Sequence, residues 1–460
     1  MSLKFGTDGV RGVANKDLTP EFALNLGKAA GSTLRAQAGG RPLVILGRDT
    51  RISGPMLEAS LAAGFSSVGV DVVSVGVVPT PTVSYLSRTH GFHLGGIVSA
   101  SHNPAPDNGI KFVGPDGNKV SELFEKELEA RLAAGEHEHA VGGDIGRLQS
   151  KELLADDYAA FVETIVPNGL KGLRIAVDAA NGAASSLAPA ILKRLGADIV
   201  VENANPDGVN INHGCGATHP ETIQELTKES EADLGVAFDG DADRAIFSDS
   251  KGRLINGDRM IGIWAKFQKE LGLLTPPSVV CSVMSNTGFE RYLAKDGIQM
   301  ERTPVGDKYV SKRLQETGAL IGGEQSGHIV IPQHGPTGDG IVTALELFKV
   351  IHECGRRLED FFDDFEPWPQ AMWNIKVADK EAWKASTEIS QMIETQTAAL
   401  GEHGRVLVRA SGTQPMVRLM VEAETASARD AALAALYEAF ERHAGASIYS
   451  KVDLTYALGD

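Results

Sequence analysis

Cysteine and long apolar runs are scarce in this sequence. The three cysteines, Cys215, Cys281 and Cys354, stand singly among 460 residues, without the CxxC spacing of a structural zinc site. No apolar run approaches the about 18 residues that a membrane span needs, and the first dozen residues lack the apolar core of a signal peptide. We therefore expect a soluble protein that resides in the reducing cytoplasm and does not bind a membrane.

Positive charge and aromatic residues are also in short supply. Basic residues number 44 against 60 acidic ones, which gives a formal net charge of -16, and aromatic residues make up 6% of the chain. No run of Lys and Arg with interleaved aromatics occurs, so nucleic acid is not expected as a partner. An acidic protein that binds an anionic substrate must concentrate its basic side chains locally. The hydrophobic fraction of 42% is sufficient for several cores and excludes a disordered chain.

A pattern that is typical of α/β domains recurs three times. Each copy has short β-branched runs, a polar loop rich in Gly or Asp and an amphipathic helical stretch, which together predict parallel βαβ layering. The third copy includes a long helix that ends at Gly355. After the segment DDFEPWPQ the pattern changes to a helix from about Glu381 to Leu400 and two central strands that meet at RASGTQP. The predicted fold is α/β, with three similar mixed α/β domains plus a C-terminal α+β domain, at residues 1–150, 151–252, 253–366 and 367–460.

The loop SASHNP follows the apolar run LGGIV directly. By itself it is consistent with a turn or a helix N-cap. Its continuation DNGIKF places Lys111 within reach of the same loop. A hydroxyl nucleophile needs a neighbouring group that takes and returns its proton, and His102 and Lys111 are candidates for that role.

The loop DGDADR follows the apolar run LGVAF and contains Asp239, Asp241 and Asp243. Three hard oxygen ligands at this spacing suit Mg²⁺, and a solvated acidic turn is the alternative. A calcium EF-hand is excluded, since Arg244 occupies the position that needs glycine and Ser250 the position that needs glutamate. Arg244 is placed to steady a phosphate or to hold a carboxylate.

The loop GEQSGH offers a carboxylate, a hydroxyl and an imidazole from Glu324, Ser326 and His328. These groups can hydrogen-bond sugar hydroxyls, although a plain turn is the alternative for this loop alone. The preceding stretch TPVGDKYV adds Asp307 and Lys308 as further polar groups. A sugar-binding loop is therefore one of two open interpretations.

The loop RASGTQPMVR lies between two predicted strands. Ser411, Gly412 and Thr413 can turn backbone N–H groups inward beside Arg409 and Arg418, which makes an anion cradle. A surface hairpin is the alternative. An acidic protein that binds phosphate needs a local concentration of donors of this kind.

Taken in order, FGTDGVRG, SASHNP with DNGIKF, DGDADR, GEQSGH and RASGTQP resemble the loops of the α-D-phosphohexomutase family over essentially the whole chain. The resemblance implies four domains around a central active-site cleft, each of which contributes one loop. VNINHGCGATHPE, TPVGDKYV and GGEQSGHIV are more similar to the bacterial branch that acts on hexosamine phosphates than to the branch that acts on mannose and glucose phosphates.

The resemblance also implies a role for each loop. Ser101 would be the phosphoserine, and its phosphate would hold Mg²⁺ together with Asp239, Asp241 and Asp243. The groups near the transferred phosphate would be Arg11, His102, Lys111 and His328. The sugar-binding groups would be Glu324, Ser326, Lys308 and Arg244. The groups that bind the non-reacting phosphate would be Arg409, Ser411, Gly412, Thr413 and Arg418. Gln414 departs from the glutamate that is common in this branch, and we expect the change to tune affinity.

The expected activity is the interconversion of glucosamine 6-phosphate and glucosamine 1-phosphate, which feeds UDP-N-acetylglucosamine synthesis. The partner would be a small phosphosugar, with a hexose or hexosamine 1,6-bisphosphate as intermediate or activator, and the resemblance implies a homodimer. Three alternatives stay open at this point. One is phosphomannomutase or phosphoglucomutase activity, and another is a catalytically silent sugar-phosphate sensor. The third is a haloacid dehalogenase-type phosphatase with Asp239 as nucleophile and TGDGI as a second acidic motif.

Overall fold

The computed structural model describes residues 9–37, 39–135, 137–411 and 416–458. The chain divides into two compact units. The first comprises the described residues of Met1–Val283 and Glu301–Phe362, and the second those of Met284–Met300 and Asp363–Asp460. Among the described residues, no helix combines the length and the apolar character that crossing a membrane requires.

The N-terminal domain of the first unit is a mixed sheet between helices. Its elements are β1 (Val10–Val13), α1 (Pro20–Gln37), β2 (Leu43–Arg48), α2 (Gly54–Ser67), β3 (Asp71–Val77), α3 (Thr80–Thr89), β4 (Leu94–Val98), β5 (Asp107–Val113), α4 (Glu122–Ala134) and β6 (Leu148–Ser150). The strand order is β1-β5-β4-β2-β3-β6. Strand β2 is parallel to β3 and β4, whereas β5 is antiparallel to β4 and β1.

The period of two along β2 produces two apolar layers in this domain. Val44 and Leu46 pack into a core with residues of α1, α2 and α4. Ile45 points to the other face and packs with Val83 and Leu86 of α3. The sheet is therefore covered on both sides, and its polar loops leave from the strand ends.

The second domain of the first unit is another mixed sheet. Its elements are α5 (Ala155–Glu163), β7 (Arg174–Asp178), α6 (Ala184–Arg194), β8 (Asp198–Glu202), α7 (Pro220–Glu229), β9 (Leu234–Phe238), β10 (Ala245–Asp249) and β11 (Leu254–Ile255). The order is β11-β10-β9-β7-β8, with β7 parallel to β8 and β9 and with β10 antiparallel to β9. Every residue of β9 and β10 is buried. The loop DGDADR thus connects two strands that lie inside the unit.

The next elements carry the loop GEQSGH and the long helix predicted to end at Gly355. They are α8 (Gly257–Glu270), β12 (Ser278–Ser282), α9 (Thr287–Lys295), β13 (Gln299–Thr303), α10 (Asp307–Thr317), β14 (Gly322–Gly323), β15 (Ile329–Val330), α11 (Gly340–Cys354) and α12 (Leu358–Asp363). The sheet order is β13-β12-β14-β15. Helix α11 does end before Gly355, whose φ of +65° is left-handed. Helix α9 belongs to the second unit.

The second unit is built on an antiparallel sheet. Its remaining elements are β16 (Gln370–Lys376), α13 (Thr387–Leu400), β17 (Gly404–Ala410), β18 (Met416–Ala423), α14 (Ala426–Ala444) and β19 (Ser447–Asp453), with the order β17-β18-β16-β19. Helices α13 and α14 pack on one face of the sheet. This sheet and the three mixed sheets confirm the predicted fold class.

Two details of the second unit differ from the prediction. Helix α13 begins at Thr387 rather than near Glu381, because the side chain of Ser386 accepts a hydrogen bond from Ile389 N and caps the helix there. The two strands that meet at RASGTQP are not both central. Strand β18 lies inside the sheet, whereas β17 forms an edge.

Candidate active site

Ser101 lies just after β4, whose residues are all buried. Its φ is +53°, in the left-handed region that is uncommon for a non-glycine residue. The Ser101 hydroxyl donates a hydrogen bond of 2.7 Å to Asp239 Oδ2, and its oxygen lies 3.3 Å from His102 Nδ1. Ser101 is only 2% exposed. The structure therefore brings the predicted serine into contact with the predicted metal loop.

The three aspartates of DGDADR form a compact cluster. One carboxylate oxygen from each of Asp239, Asp241 and Asp243 lies within 4.8 Å of the others. Asp241 Oδ2 accepts hydrogen bonds from Thr80 Oγ1 at 2.6 Å and from Lys111 Nζ at 2.7 Å. Among the described residues, the buried Oδ1 atoms of Asp241 and Asp243 have no hydrogen-bond partner. These hard oxygen atoms with unused lone pairs are suitable ligands for Mg²⁺.

The electrostatics of the cluster also favour a cation. Burial and the carboxylates of Asp243 and Asp241 raise the pKa of Asp239 well above its usual value. Burial acts in the same direction on Asp243, but His328, Lys111 and Arg244 outweigh it and hold the pKa of that carboxyl well below its usual range. Three carboxylates this close repel one another, and a divalent cation would relieve that repulsion.

Lys111 lies on β5, opposite Ile97 of β4. Burial would lower its pKa, but Asp241 and Asp243 outweigh that effect and raise the pKa of Lys111 above its ordinary value. Its ammonium lies 3.8 Å from Asp243 Oδ2 in addition to its contact with Asp241. Lys111 is thus positively charged and forms ion pairs with the aspartate loop. Arg11 pairs with Gly109 across β1 and β5, and its charge acts against the ammonium of Lys111.

His328 ends the turn between β14 and β15. Its Nδ1 lies 3.6 Å from Asp243 Oδ1, and its Nε2 lies 3.8 Å from Asp307 Oδ2. Burial would lower the pKa of His328, but Asp243 and Asp307 raise it to about 9, so the imidazole is positively charged at neutral pH. Asp307 in turn pairs with Lys119 at 2.6 Å. The aspartate loop therefore has cations from two domains beside it.

The motif TGDGI contacts the aspartate loop through its backbone. Asp339 Oδ1 accepts a hydrogen bond from Val342 N and caps α11, and the Tyr158 hydroxyl donates to both Asp339 oxygens at 2.9 Å. Gly340 N donates to Ala242 O at 2.9 Å. Asp339 is thus a helix cap, which removes the reason for regarding TGDGI as a second acidic motif of a phosphatase.

The four predicted sugar-binding residues differ from one another in their contacts. Glu324 Oε1 accepts a hydrogen bond of 3.0 Å from Gly306 N. Ser326 is 4% exposed, and its hydroxyl has no hydrogen-bond partner among the described residues. The Lys308 ammonium lies 5.1 Å from the centre of the Tyr309 ring. The backbone N–H of Arg244 donates a hydrogen bond of 3.2 Å to Asp239 Oδ1.

The predicted phosphate loop lies in the second unit. Arg409 and Arg418 stand directly opposite each other on β17 and β18. Ser411 N donates to Met416 O at 2.8 Å, and Lys380 Nζ donates to Ser411 O at 2.6 Å. Among the described residues, Arg418 Nε is buried without a hydrogen-bond partner. Gly412, Thr413 and Gln414 lie outside the described residues.

Several residues at this site were not singled out from the sequence. They are Arg51, Thr80, Lys119 and Asn212. Arg51 and Asn212 both donate hydrogen bonds to the carbonyl of Ser101. Arg51 stands in a polar stretch just after a strand, and this position could have indicated a functional residue. Asn212 lies in the motif VNINHG.

Family models match almost the whole chain in four consecutive segments. Domain I of phosphoglucomutase/phosphomannomutase, an alpha/beta/alpha domain, matches residues 2–139. Alpha/beta/alpha domains II and III match residues 156–252 and 256–368, and the C-terminal domain matches residues 372–439.

Individual proteins are similar over comparable lengths. A phosphoglucosamine mutase from Desulforamulus reducens is 49% identical over 424 residues, which cover 92% of this chain and 95% of that protein. The crystal structure of a phosphoglucomutase/phosphomannomutase family protein from Burkholderia thailandensis has a TM-score of 0.80 at 27% identity, covering 95% of this chain and 97% of that one. The Aspergillus fumigatus N-acetylphosphoglucosamine mutase, in complex with GlcNAc-6P and magnesium, has a TM-score of 0.69 at 18% identity. The superposition covers 96% of each chain, and at this identity it shows a similar fold only.

Proposed function

The chain belongs to the phosphoglucomutase/phosphomannomutase family, and we propose that it is a mutase that interconverts glucosamine 6-phosphate and glucosamine 1-phosphate. The observation that carries the proposal is the hydrogen bond of 2.7 Å between the Ser101 hydroxyl and Asp239, within a triad of aspartates. The choice of glucosamine over other hexoses is supported by the relative that is 49% identical and named phosphoglucosamine mutase.

In the proposed reaction, phosphoserine 101 donates its phosphoryl group to the free hydroxyl of a hexosamine monophosphate. The bond between Ser101 Oγ and phosphorus breaks as the bond between phosphorus and the sugar oxygen forms. The proton that the sugar hydroxyl loses passes to the leaving Ser101 Oγ, which becomes a hydroxyl. His102, whose Nδ1 lies 3.3 Å from Ser101 Oγ, is placed to deliver that proton. The bisphosphate then reverses its orientation. Its other phosphate returns to Ser101, the proton returns to the sugar oxygen, and the isomerised monophosphate leaves.

The chain's own cations would offset the charge of the transferred group. Lys111 and His328 carry positive charge beside Asp241 and Asp243. The Oδ1 atoms of Asp241 and Asp243, together with Asp239, would hold Mg²⁺. When bound, Mg²⁺ supplies further electrostatic stabilisation of the phosphoryl oxygens. The backbone N–H of Arg244, which donates to Asp239 Oδ1, orients one carboxylate of the triad.

The non-reacting phosphate would bind to the hairpin of β17 and β18. Arg409 and Arg418 face the same side because they are directly opposite across an antiparallel pair. Either phosphate of the bisphosphate can occupy such a site, since charge and N–H donors do not distinguish the sugar carbon that bears it. Glu324 and Ser326 would hydrogen-bond the sugar hydroxyls. The homodimer and the cytoplasmic location stay predictions.

A coupled assay with purified protein and Mg²⁺ tests the proposal. We expect turnover of glucosamine 1-phosphate with kcat/KM above those for glucose 1-phosphate and mannose 1-phosphate, and at least a ~10³-fold loss in Ser101→Ala. Higher kcat/KM on either neutral hexose would contradict the glucosamine assignment. The absence of turnover on all three sugars would favour the sensor alternative, and acyl phosphate on Asp239 would favour the phosphatase.

A further inference from the structure

The backbone that carries Ser101 is held by an arginine that none of the motif assignments includes. Arg51 Nη2 donates to Ser101 O at 3.0 Å and to Asn103 O at 2.7 Å. Arg51 Nη1 donates to Pro104 O at 2.6 Å and to Asp107 O at 2.9 Å. One guanidinium thus binds four carbonyl oxygens of the loop. Only the planar fork of arginine presents enough donors in a fixed geometry for this pattern.

Arg51 is itself fixed in place. Its Nε donates to Asp49 Oδ2 at 2.9 Å, and its backbone N–H donates to Asp49 Oδ1 at 2.9 Å. Asp49 Oδ2 also accepts a hydrogen bond of 2.6 Å from the Ser99 hydroxyl, which in turn accepts one of 2.9 Å from Ser101 N. Arg51 and Asp49 are each 1% exposed. The pair therefore reaches both the N–H and the C=O of Ser101.

A second side chain holds the same carbonyls from another domain. Asn212, in the segment between β8 and α7, donates through Nδ2 to Ser101 O at 2.9 Å and to Asn103 O at 3.1 Å. Asn212 is 7% exposed and has a φ of +57°. A Cβ atom on Gly240 would lie 2.6 Å from Ser101 O and 2.7 Å from Asn212 Nδ2. Because Gly240 has no side chain, the aspartate loop can lie close to the hydrogen bond between Asn212 and the carbonyl of Ser101.

We propose that Arg51 and Asn212 are positioning residues that fix the Ser101 loop for phosphoryl transfer. The inference rests on the proposed function, in which the same oxygen must donate a phosphoryl group in one half-reaction and recover one in the next. Ser101 adopts a left-handed backbone, which persists only where the surroundings enforce it. With either donor removed, the loop relaxes and Ser101 Oγ leaves the position beside Asp239. Neither side chain contacts the reacting atoms.

The test uses two substitutions with matched controls. Arg51→Lys keeps a cation for Asp49 but loses the fork, and its control is Arg48→Lys, whose side chain pairs with Glu58. Asn212→Gly removes the amide and tolerates the positive φ. Its control is Asn210→Gly, from the same loop, whose amide bonds only within that loop.

The readout is the first-order rate constant for transfer from phosphorylated Ser101 to saturating glucosamine 6-phosphate in a single turnover. This constant does not depend on the fraction of folded enzyme, so a purely structural defect leaves it unchanged. We expect Arg51→Lys and Asn212→Gly each to lower it about 10- to 100-fold, with the KM for the sugar phosphate and the Kd for Mg²⁺ within twofold of wild type. Both controls should match wild type.

Two results would overturn the inference. One is a wild-type transfer rate in Arg51→Lys and Asn212→Gly, and the other is an equal loss in the two controls. In both cases wild-type transfer itself would be intact, so the proposed function would stand. A wild-type protein that accepts no phosphate on Ser101 from a hexosamine bisphosphate would instead refute the proposed function, and the positioning role would fail with it.

Discussion

In the proposed function, the loop of Ser101 and the hairpin of β17 and β18 bind the two phosphates of the substrate in different ways. Around Ser101, the N–H, the C=O and the hydroxyl each have a defined side-chain partner: Ser99, Arg51 and Asp239. On the hairpin, Arg409 and Arg418 stand directly opposite each other, which concentrates positive charge on one side of the sheet. In the proposed function, the first region fixes the geometry of the reacting phosphate and the second attracts the other phosphate by charge.

A substrate that reacts in two orientations needs both kinds of region. A reacting phosphate must be placed within a fraction of an ångström, which requires a rigid and fully bonded loop. A non-reacting phosphate needs affinity without strict orientation, which a pair of guanidinium groups supplies. Substitutions in the first region should therefore reduce kcat, and substitutions in the second should raise KM.

The largest effect is expected for Asp241→Asn, in the aspartate loop that the Ser101 hydroxyl contacts through Asp239. The change removes one carboxylate of the triad and weakens the contacts with Lys111 and Thr80. Loss of electrostatic stabilisation worth several kcal/mol should lower kcat about 10³-fold, and it should weaken Mg²⁺ binding measured by titration calorimetry. Asp233→Asn, at the opposite end of β9, is the control and should leave both values unchanged. Unaltered Mg²⁺ affinity in Asp241→Asn would remove this residue from the metal site.

A smaller effect of a different kind is expected for Arg418→Gln. The loss of a charge-assisted hydrogen bond to phosphate, worth about 1.5 to 3 kcal/mol, should raise KM about 10- to 100-fold and leave kcat within a few-fold. Steady-state kinetics with glucosamine 1-phosphate measure both parameters. Arg442→Gln is the control, because the Arg442 side chain is exposed on α14 and pairs with Glu438. A loss confined to kcat would show that the two regions do not divide the work as described.

The smallest effect concerns Asp339, in the motif TGDGI that contacts the aspartate loop, and it depends on pH. Burial raises the pKa of Asp339 from 3.8 to about 6, despite the hydrogen bonds from Val342 N and Tyr158 that lower it. A pKa that is higher in the folded state means that the stability it contributes is complete below pH 3.8 and is lost as the pH rises through about 6.

Thermal unfolding of wild type and Asp339→Asn between pH 4.5 and 7.5 should reveal this dependence. We expect the Tm of wild type to fall by a few degrees relative to Asp339→Asn as the pH rises, since asparagine can still cap α11 without a buried charge. Tyr158→Phe removes a donor to the carboxylate and should move the midpoint of the change to higher pH. A Tm difference that is constant with pH would contradict the buried titration.

Strand ends and loop chemistry were predictable from the sequence because they depend on neighbouring residues. The run LGGIV followed by SASHNP predicted β4 and the loop of Ser101, and the run LGVAF followed by DGDADR predicted β9 and the aspartate triad. The end of α11 at Gly355 followed from glycine at a helix C-terminus. In each case one short segment contains the whole signal.

The contacts that hold these loops could not be predicted, since they join distant parts of the chain. Arg51 and Asn212 meet at the carbonyl of Ser101, and no pattern within either segment indicates that contact. The edge position of β17 and the place of α9 in the second unit could not be predicted for the same reason. The roles assigned to the site residues and the four domain boundaries stay predictions.

Phosphate labelling identifies the residue that carries the transferred group and follows its fate. Protein exposed to a hexosamine 1,6-bisphosphate labelled in its phosphates should carry label on Ser101 by mass spectrometry, and Ser101→Ala should carry none. A chase with unlabelled glucosamine 6-phosphate should transfer that label to the sugar at least as fast as steady-state turnover. Label on Asp239, or a chase slower than turnover, would contradict the account.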